Sequence, residues 1–227
     1  MSREERKQPV EHCPLPPPGF HEVELPVHEM NLSVTTLLRI HWRLREPVYY
    51  NRRTASATVF RFDAPNDEFG VLYASPSFDA CMAETLMRGR YRGVRATAPH
   101  VIDEQAIIER CVATLGCEDP RALRLADLTQ PLWQFGFNAQ VLSTPDYSAP
   151  NEWSSAIHCN IANLDGIYFK SRFANGVSVA IFSDRVRLVQ RGASVPLLDH
   201  PDLPDFLDRF GIGIADPGGA DWQSVEE

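Results

Sequence analysis

The sequence predicts a domain of the α+β class. Short runs of apolar, β-branched and aromatic residues between turn residues predict strands, and longer amphipathic stretches predict helices. The 227 residues are 44% hydrophobic, which is enough for one large domain with its own core. Mixed helices and several short strands are typical of α+β domains, although periodicity predicts no topology beyond that. The predicted strands cover residues 38–42, 59–62, 71–73, 167–169 and 177–182, and the predicted helices cover 75–87, 104–115, 151–160 and 201–210.

The first predicted helix has the clearest start signal. Ser75 and Pro76 resemble an N-cap followed by proline at the first helical position, where the missing N–H of proline is tolerated. Apolar residues then recur at helical spacing and define a buried stripe. At about 100° per residue, Glu84 projects roughly 130° from the centre of this stripe, toward solvent or a cleft. The stripe consists of Phe78, Cys81, Met82, Thr85 and Leu86.

Two terminal segments flank the predicted domain, which covers residues 31–213. Residues 1–30 contain several prolines among charged residues, and this composition predicts an extended arm rather than a packed element. Residues 214–227 contain a Gly-Gly pair and acidic side chains, which predict a loose, flexible tail.

The net charge and the cysteine content restrict the classes of protein to which this chain could belong. The net charge of −8 and the pI of about 5.4 disfavour direct binding to a nucleic-acid backbone. The five cysteines are odd in number and include no Cys-x-x-Cys pair, so we expect reduced, buried thiols in a cytoplasmic protein. The sequence has neither a secretory signal nor an apolar run that could span a bilayer, which predicts a cytoplasmic location without membrane contact. No spacing of His and Cys residues fits a metal site.

Two arginines on predicted strands are candidate phosphate ligands. Arg61 alternates with Phe60 and Phe62, so it should occupy the opposite face of the strand from both rings. It is either an ordinary surface arginine or a fork of donors that holds a pyrophosphate bidentately. Arg39, between two apolar residues of the first strand, has the same two interpretations.

Further residues are candidates for chemistry or ligand binding. Tyr73, at a strand end, is either a core aromatic or a flat surface on which a ligand ring stacks. Glu84 is either a solvated helix carboxylate or the group that stabilises positive charge at a sugar carbon as its leaving group departs. Ser171 is either an ordinary strand-end serine or, with Arg172, a contact for phosphate or carboxamide oxygens. The absence of a Gly-x-Ser-x-Gly elbow and of a Gly-rich phosphate loop disfavours a hydrolase triad and a dinucleotide-binding dehydrogenase.

Five short blocks occur in an order that resembles the RES domain, a family named for an arginine, a glutamate and a serine. The separations of 12 residues from Arg61 to Tyr73 and 11 from Tyr73 to Glu84 are similar to those in the family. One departure is the segment Thr58-Val59-Phe60, because many members have a glycine pair directly before the arginine, and it predicts a slightly shifted Arg61. The resemblance covers about residues 37–189. Its blocks are Leu38-Arg39-Ile40, Arg61-Phe62, Leu72-Tyr73-Ala74-Ser75, Ala83-Glu84-Thr85, and Asp165-Gly166-Ile167 followed by Ser171-Arg172.

The resemblance implies a fold like that of ADP-ribosyltransferase toxins, with a central split of short mixed and antiparallel strands flanked by helices. NAD is then the substrate, and its nicotinamide N-glycosidic bond is broken without a metal. The acceptor is inorganic phosphate in an NAD phosphorylase, water in an NAD glycohydrolase, or a protein side chain in a mono-ADP-ribosyltransferase, and the first two are favoured. The implied catalytic residues are Glu84, Arg61, Tyr73 and Ser171, and the implied NAD-binding residues are Arg39, Arg61, Tyr73, Ser171 and Arg172.

The resemblance also implies a biological setting. Members are typically bacterial toxins neutralised by a cognate Xre-type antitoxin with a helix-turn-helix domain, so this chain would meet DNA only through that partner. A secreted antibacterial effector with the same NAD cleft and a non-catalytic nucleotide-binding module are the alternatives. The oligomeric state is left open, a homo-oligomer included.

Overall fold

The computed structural model describes residues 13–54, 58–90, 95, 97–118 and 121–216. In this part of the chain, short strands alternate with short helices. The strands are β1 Val27–Asn31, β2 Leu37–Trp42, β3 Val71–Ala74, β4 His100–Asp103, β5 Arg110–Cys117, β6 Ala122–Asp127, β7 Gly166–Lys170, β8 Val177–Phe182, β9 Leu188–Gln190, β10 Val195–Pro196 and β11 Ile212–Ala215. The α-helices are α1 Phe78–Met82, α2 Glu104–Ile108, α3 Ala139–Ser143, α4 Ser148–His158 and α5 Leu203–Phe210, and a π-helical turn, Ala83–Met87, follows α1.

The strands form open sheets of mixed direction. The five-stranded sheet has the order β1-β6-β7-β8-β3 and is antiparallel except between β6 and β7. A second, antiparallel sheet places β2, β9 and β10 against β5. The short strands β4 and β11 pair in parallel. These split sheets and flanking helices confirm the predicted α+β class.

The core divides into three clusters around the two larger sheets. Alternation along β3 places Val71 in a cluster with Trp153 of α4, and Leu72 in a second cluster with Leu37 of β2. Because β2 and β3 belong to different sheets, this second cluster joins them. The third cluster packs α1, α2 and α5 together. The largest sheet and the second sheet thus meet at β2 and β3, beside α1.

The described part of the N-terminal segment is packed, which differs from the expected extended arm. The Phe20 side chain is 2% exposed and belongs to the core cluster of Trp153. The Trp153 indole donates a hydrogen bond of 2.8 Å to the carbonyl of Pro14, and Asn160 donates to the carbonyls of Phe20 and Val23, both at 3.0 Å. Strand β1 then joins the main sheet across the predicted boundary at residue 30. The buried Phe20 side chain therefore anchors this proline-rich segment to the core; residues 1–12 of the predicted arm lie outside the described residues.

Two other segments differ from the sequence-based expectation. Arg61 and Phe62 lie in a turn instead of a strand, so strand alternation does not determine where Arg61 points. The helix expected over 104–115 ends at Ile108, and the chain continues as β5. Because β5 is buried along most of its length, its sequence lacks the polar alternation that distinguishes a strand from a buried helix.

The C-terminal boundary also shifts. Strand β11 extends to Ala215, past the expected end of the domain at residue 213, because residues 212–215 pair in register with residues 100–103 of β4. The rest of the predicted tail from residue 217 lies outside the described residues. The predicted domain boundaries at residues 31 and 213 remain predictions. The strand pairing of β1 begins before the first boundary, and that of β11 ends after the second.

The first helix begins later than expected and changes its winding. Ser77, and not Ser75, is the N-cap, since its Oγ accepts a hydrogen bond of 3.3 Å from the Ala80 N–H. The hydrogen bonds of the π-helical turn then span five residues instead of four, which shifts the phase of the side chains. Thr85, expected in the buried stripe, is consequently exposed, and Glu84 is half-buried.

Candidate functional site

One cleft gathers most of the predicted site residues. Its volume is about 660 Å³, within the range of about 300–1,000 Å³ typical of small-molecule sites. It lies beside the point where β2 and β3 meet. At that point the backbones of Leu38 and Ser75 exchange hydrogen bonds of 2.7 and 3.0 Å. Four predicted residues line the cleft, Arg39, Arg61, Tyr73 and Glu84, whereas Ser171 and Arg172 lie outside its lining.

Ser171 supports Glu84 from outside the cleft lining. Its Oγ donates a hydrogen bond of 2.7 Å to Oε1 of Glu84. The same oxygen accepts hydrogen bonds from the backbone N–H groups of Phe173 and Ala174, at 3.2 and 3.3 Å. The two amides occupy the acceptor sites of the hydroxyl oxygen. Its single proton therefore points to the carboxylate. Ser171 is 6% exposed, so bulk water does not compete for the bond.

Arg61 is buried in the cleft wall, with 6% of its surface exposed. Its guanidinium carbon lies 5.4 Å from the centroid of the Tyr147 ring, within cation–π range. Burial, followed by the positive charge of Arg172, lowers the pKa of Arg61. Among the described residues, none accepts a hydrogen bond from the buried Nε of Arg61. An unpaired buried donor is costly, so an acceptor oxygen of a ligand would be stabilising at this position.

Arg88 and Tyr147 also belong to the cleft, and the sequence analysis missed both. The Tyr147 hydroxyl accepts hydrogen bonds from Nη2 of Arg88 and, at 3.4 Å, from Nη2 of Arg172. The guanidinium carbon of Arg88 lies 5.4 Å from the centroid of the same ring. Arg88 follows Glu84 by four residues, a spacing that places two side chains on one helix face, so it could have been found. Tyr147 directly precedes α4 in a loop that has no periodic signal.

The three guanidinium groups around Tyr147 form a cationic cluster, which we call the arginine cluster (Arg61, Arg88 and Arg172). Within the described ranges, no carboxylate forms an ion pair with any of the three. In a protein with a net charge of −8, this local excess of positive charge is complementary to an anionic ligand. The cluster includes Arg61, which the sequence analysis named together with Arg39 as a candidate phosphate ligand.

Tyr73 lines the cleft, but its hydroxyl is bound inside the protein. It donates a hydrogen bond of 3.1 Å to Oδ1 of Asp63 and accepts one of 2.8 Å from the Phe62 N–H. Burial, followed by the negative charge of Asp63, raises the pKa of Tyr73 well above its ordinary value. The hydroxyl therefore stays protonated at neutral pH, and the ring is the part of Tyr73 that a ligand would contact.

The two remaining predicted arginines have different environments. Nη1 of Arg39 donates a hydrogen bond of 2.7 Å to the carbonyl of Tyr49, and burial lowers the pKa of Arg39 to about 10. Arg39 is still a cation at neutral pH, with further N–H donors for a ligand. Arg172 is exposed, and its Nη1 donates to the carbonyls of Ser143 and Thr144 at 2.9 and 3.4 Å. Its Nη2 donates to the hydroxyl of Tyr147, which lines the cleft.

Neither the cysteines nor the possible metal ligands add a second site to this cleft within the described ranges. All five cysteines are free, and Cys159 is exposed although it was expected to be buried. Among the residues placed by the structure, no group of three or more His, Cys, Asp or Glu side chains could hold a metal ion. No helix in those same ranges is both long enough and apolar enough to cross a membrane.

The sequence and the fold are both similar to known proteins. The family model of the RES domain matches residues 36–204 of the chain. A search of curated proteins returned no match. Among solved structures, a chain in the crystal structure of the M. tuberculosis MbcT-MbcA toxin-antitoxin complex is similar, with a TM-score of 0.55 and 19% sequence identity over 75% of this chain and 88% of that chain. At this identity the similarity shows the fold alone.

Proposed function

Because the chain belongs to the RES-domain family, we propose that it is the toxin of a toxin–antitoxin pair and that it degrades NAD. The observation that carries the proposal is the hydrogen bond of 2.7 Å by which Ser171 holds Glu84, a carboxylate that lines the same cleft as the buried Arg61. This arrangement supplies a fixed carboxylate next to cationic donors. A dinucleotide that develops positive charge on its ribose as a neutral leaving group departs would use both: the carboxylate for the sugar and the cationic donors for the phosphates.

The proposed reaction breaks the bond between the ribose anomeric carbon and the nicotinamide nitrogen. Nicotinamide leaves as a neutral molecule with the electron pair of that bond, and positive charge develops on the ribose. The Glu84 carboxylate stabilises this charge, as carboxylates do in glycoside cleavage. Ser171 holds the carboxylate in a fixed direction, so little reorganisation is needed as the charge appears.

The cationic side chains have a binding role in this proposal. The Nε of Arg61, together with Arg88 and Arg39, donates hydrogen bonds to the pyrophosphate oxygens, for which guanidinium groups are well suited. The Tyr73 ring stacks on the nicotinamide. Arg172 acts through Tyr147, and Ser171 contacts Glu84 at the nicotinamide end. No metal is needed for these steps.

The acceptor that attacks the ribose completes the reaction. We favour inorganic phosphate or water: its oxygen forms a bond to the ribose anomeric carbon as the nicotinamide bond breaks, and the proton of that oxygen is released to solvent. The test is NAD turnover by the purified protein with and without inorganic phosphate, with ADP-ribose and its 1″-phosphate resolved by mass spectrometry. We expect nicotinamide release together with one of these two products. Nicotinamide release with ADP-ribose attached to protein would instead identify a mono-ADP-ribosyltransferase, and no nicotinamide release would overturn the proposal.

The partner we propose is an antitoxin with a helix-turn-helix domain, which covers the cleft and carries the contact with DNA. The net charge of −8 supports this division, because an acidic toxin is a poor ligand for DNA by itself. Five free cysteines suit the reducing cytoplasm, where we place the activity. Co-expression with the product of the neighbouring gene should yield a complex that lacks NAD turnover; a complex that retains full turnover would argue for a secreted effector with another kind of inhibitor.

A further inference from the structure

Side chains of α4 hold the turn that carries Arg61 through hydrogen bonds to its backbone carbonyls. The carbonyls of Phe60 and Arg61 both accept from Nδ2 of Asn151, at 2.9 Å. The carbonyl of Phe62 accepts from Oγ of Ser154 at 2.6 Å. These bonds tie the outer side of the turn to α4. Within the turn, the Asp63 N–H donates to the Phe60 carbonyl at 3.3 Å, whereas the N–H groups of Phe60 and Phe62 find their acceptors on the other side.

Asp63 satisfies both amides, one directly and one through Tyr73. Its Oδ2 accepts from the Phe60 N–H at 2.7 Å and from Nδ2 of Asn51 at 2.6 Å. Its Oδ1 accepts from the Tyr73 hydroxyl, whose oxygen accepts from the Phe62 N–H. One carboxylate thus connects the Arg61 turn with the Tyr73 side chain of β3.

We propose that Asp63 is a positioning residue of the cleft, which fixes the Arg61 guanidinium and the Tyr73 ring relative to each other. The inference rests on the proposed function for the identity of the substrate, NAD. The hydrogen bonds from which it is argued do not depend on that function. Asp63 makes no contact with the Glu84–Ser171 pair among the bonds that the structure describes, and it is 1% exposed. It is therefore placed to affect how the substrate is held, not how charge is stabilised.

The burial of this carboxylate is itself costly. Burial raises the pKa of Asp63, and the hydrogen bonds from Phe60, Asn51 and Tyr73 oppose that shift. A buried carboxylate requires such donors to remain ionised. An asparagine has the same shape but only one oxygen, so it cannot accept all three hydrogen bonds at once. Asp63→Asn is therefore a substitution that disturbs the network with little change in volume.

The first test is the steady-state kinetics of Asp63→Asn. We expect KM for NAD to rise at least tenfold while kcat falls by less than threefold, because uniform binding is lost and Glu84 is untouched. Asp67→Asn is the matched control; Asp67 lies in the same loop with a positive φ of 65°, which asparagine tolerates, and its KM should not change. A fall in kcat without a change in KM, or no change in either constant, would overturn the inference.

The second test uses Tyr73→Phe, which keeps the ring and removes the hydroxyl. If Asp63 acts through that hydroxyl, the KM effects of Asp63→Asn and Tyr73→Phe will not multiply in the double variant, since both break one connection. Multiplicative effects would contradict the coupling. Should Asp63→Asn fail to fold, Tyr73→Phe alone still decides, because an unchanged KM would remove the proposed connection.

A third measurement is independent of catalysis. Amide hydrogen exchange in the peptide covering residues 58–63 should become faster in Asp63→Asn than in the wild type and in Asp67→Asn, because one amide oxygen cannot serve both the Phe60 N–H and the Tyr73 hydroxyl that holds the Phe62 N–H. If the wild type does not consume NAD, the proposed function fails while this exchange result still tests the positioning role. Unchanged exchange in that peptide would overturn the inference whatever the activity.

Discussion

Ser171 and Glu84 are 87 residues apart in sequence, yet a 2.7 Å hydrogen bond joins their side chains at the edge of the cleft. One residue follows the last position of β7, and the other lies in the π-helical turn after α1. The serine has no other use for its proton, and the carboxylate has a fixed orientation as a result. The pair provides the two most direct tests of the proposed chemistry.

Glu84→Gln should retain the fold and lose most of the activity. The glutamine oxygen can still accept from Ser171, but its neutral amide cannot stabilise positive charge on the ribose. We expect kcat for NAD to fall by about 10²–10³-fold, with a small change in KM, measured by nicotinamide release. Glu152→Gln on the exposed face of α4 is the control and should be fully active. Full turnover by folded Glu84→Gln would remove Glu84 from the mechanism.

Ser171→Ala should have a smaller effect of the same kind. A hydrogen bond to a charged group contributes about 1.5–3 kcal/mol, so loss of the Ser171 proton should lower kcat roughly 10- to 100-fold. Ser33→Ala, at an exposed position, controls for loss of a hydroxyl. If Ser171→Ala lowered activity only by raising KM, the serine would be a ligand-binding residue and not the support of Glu84.

Phe20→Ala should destabilise the whole domain, because the Phe20 ring packs edge-on against Trp153 at a centroid distance of 5.0 Å. Removal of a buried phenylalanine side chain costs about 3–5 kcal/mol, which chemical denaturation would detect. Leu15→Ala is the control, since Leu15 is 62% exposed and the change should stay within about 0.5 kcal/mol. Equal stability of the two variants would mean that residues 13–25 are a dispensable arm after all.

Cys81 should be unreactive in the folded protein. Burial raises the pKa of Cys81 to about 12, and the reactive species is the thiolate. At pH 8, about one Cys81 thiol in 10,000 would be ionised, and the fraction rises as pH approaches the pKa. Alkylation followed by peptide mass spectrometry at pH 8 should modify the exposed Cys159 and spare Cys81 until the protein is unfolded. Labelling of both at equal rates would show that the cleft wall opens.

The sequence predicted the fold class and several strands well, because β2, β3, β7 and β8 carry apolar, β-branched runs between turn residues. It misplaced β5, since a strand buried along most of its length has the same apolar content as a buried helix. It also missed Phe20 as a core residue, because six prolines in the first 30 residues suggested an unpacked arm. Those errors concern tertiary burial, which no local pattern encodes.

The candidate site was predicted unevenly. Four of the predicted residues line one cleft, but they were chosen from the family resemblance more than from periodicity. They are Arg39, Arg61, Tyr73 and Glu84. Asp63 and Tyr147 were missed, since a buried turn carboxylate and a loop tyrosine have no repeating pattern. Their hydrogen bonds to Tyr73 and to the arginines become evident only in the three-dimensional structure.

The π-helical turn that carries Glu84 has a consequence for comparing this chain with its relatives. A helix that gains one residue within a turn keeps its ends in place, so a relative with a regular α-helix there would align with a one-residue gap inside a helix. An alignment that forbids such a gap would pair Glu84 with the wrong position by one residue, on another face of the helix. Residue matching in this segment should therefore follow superposed backbones.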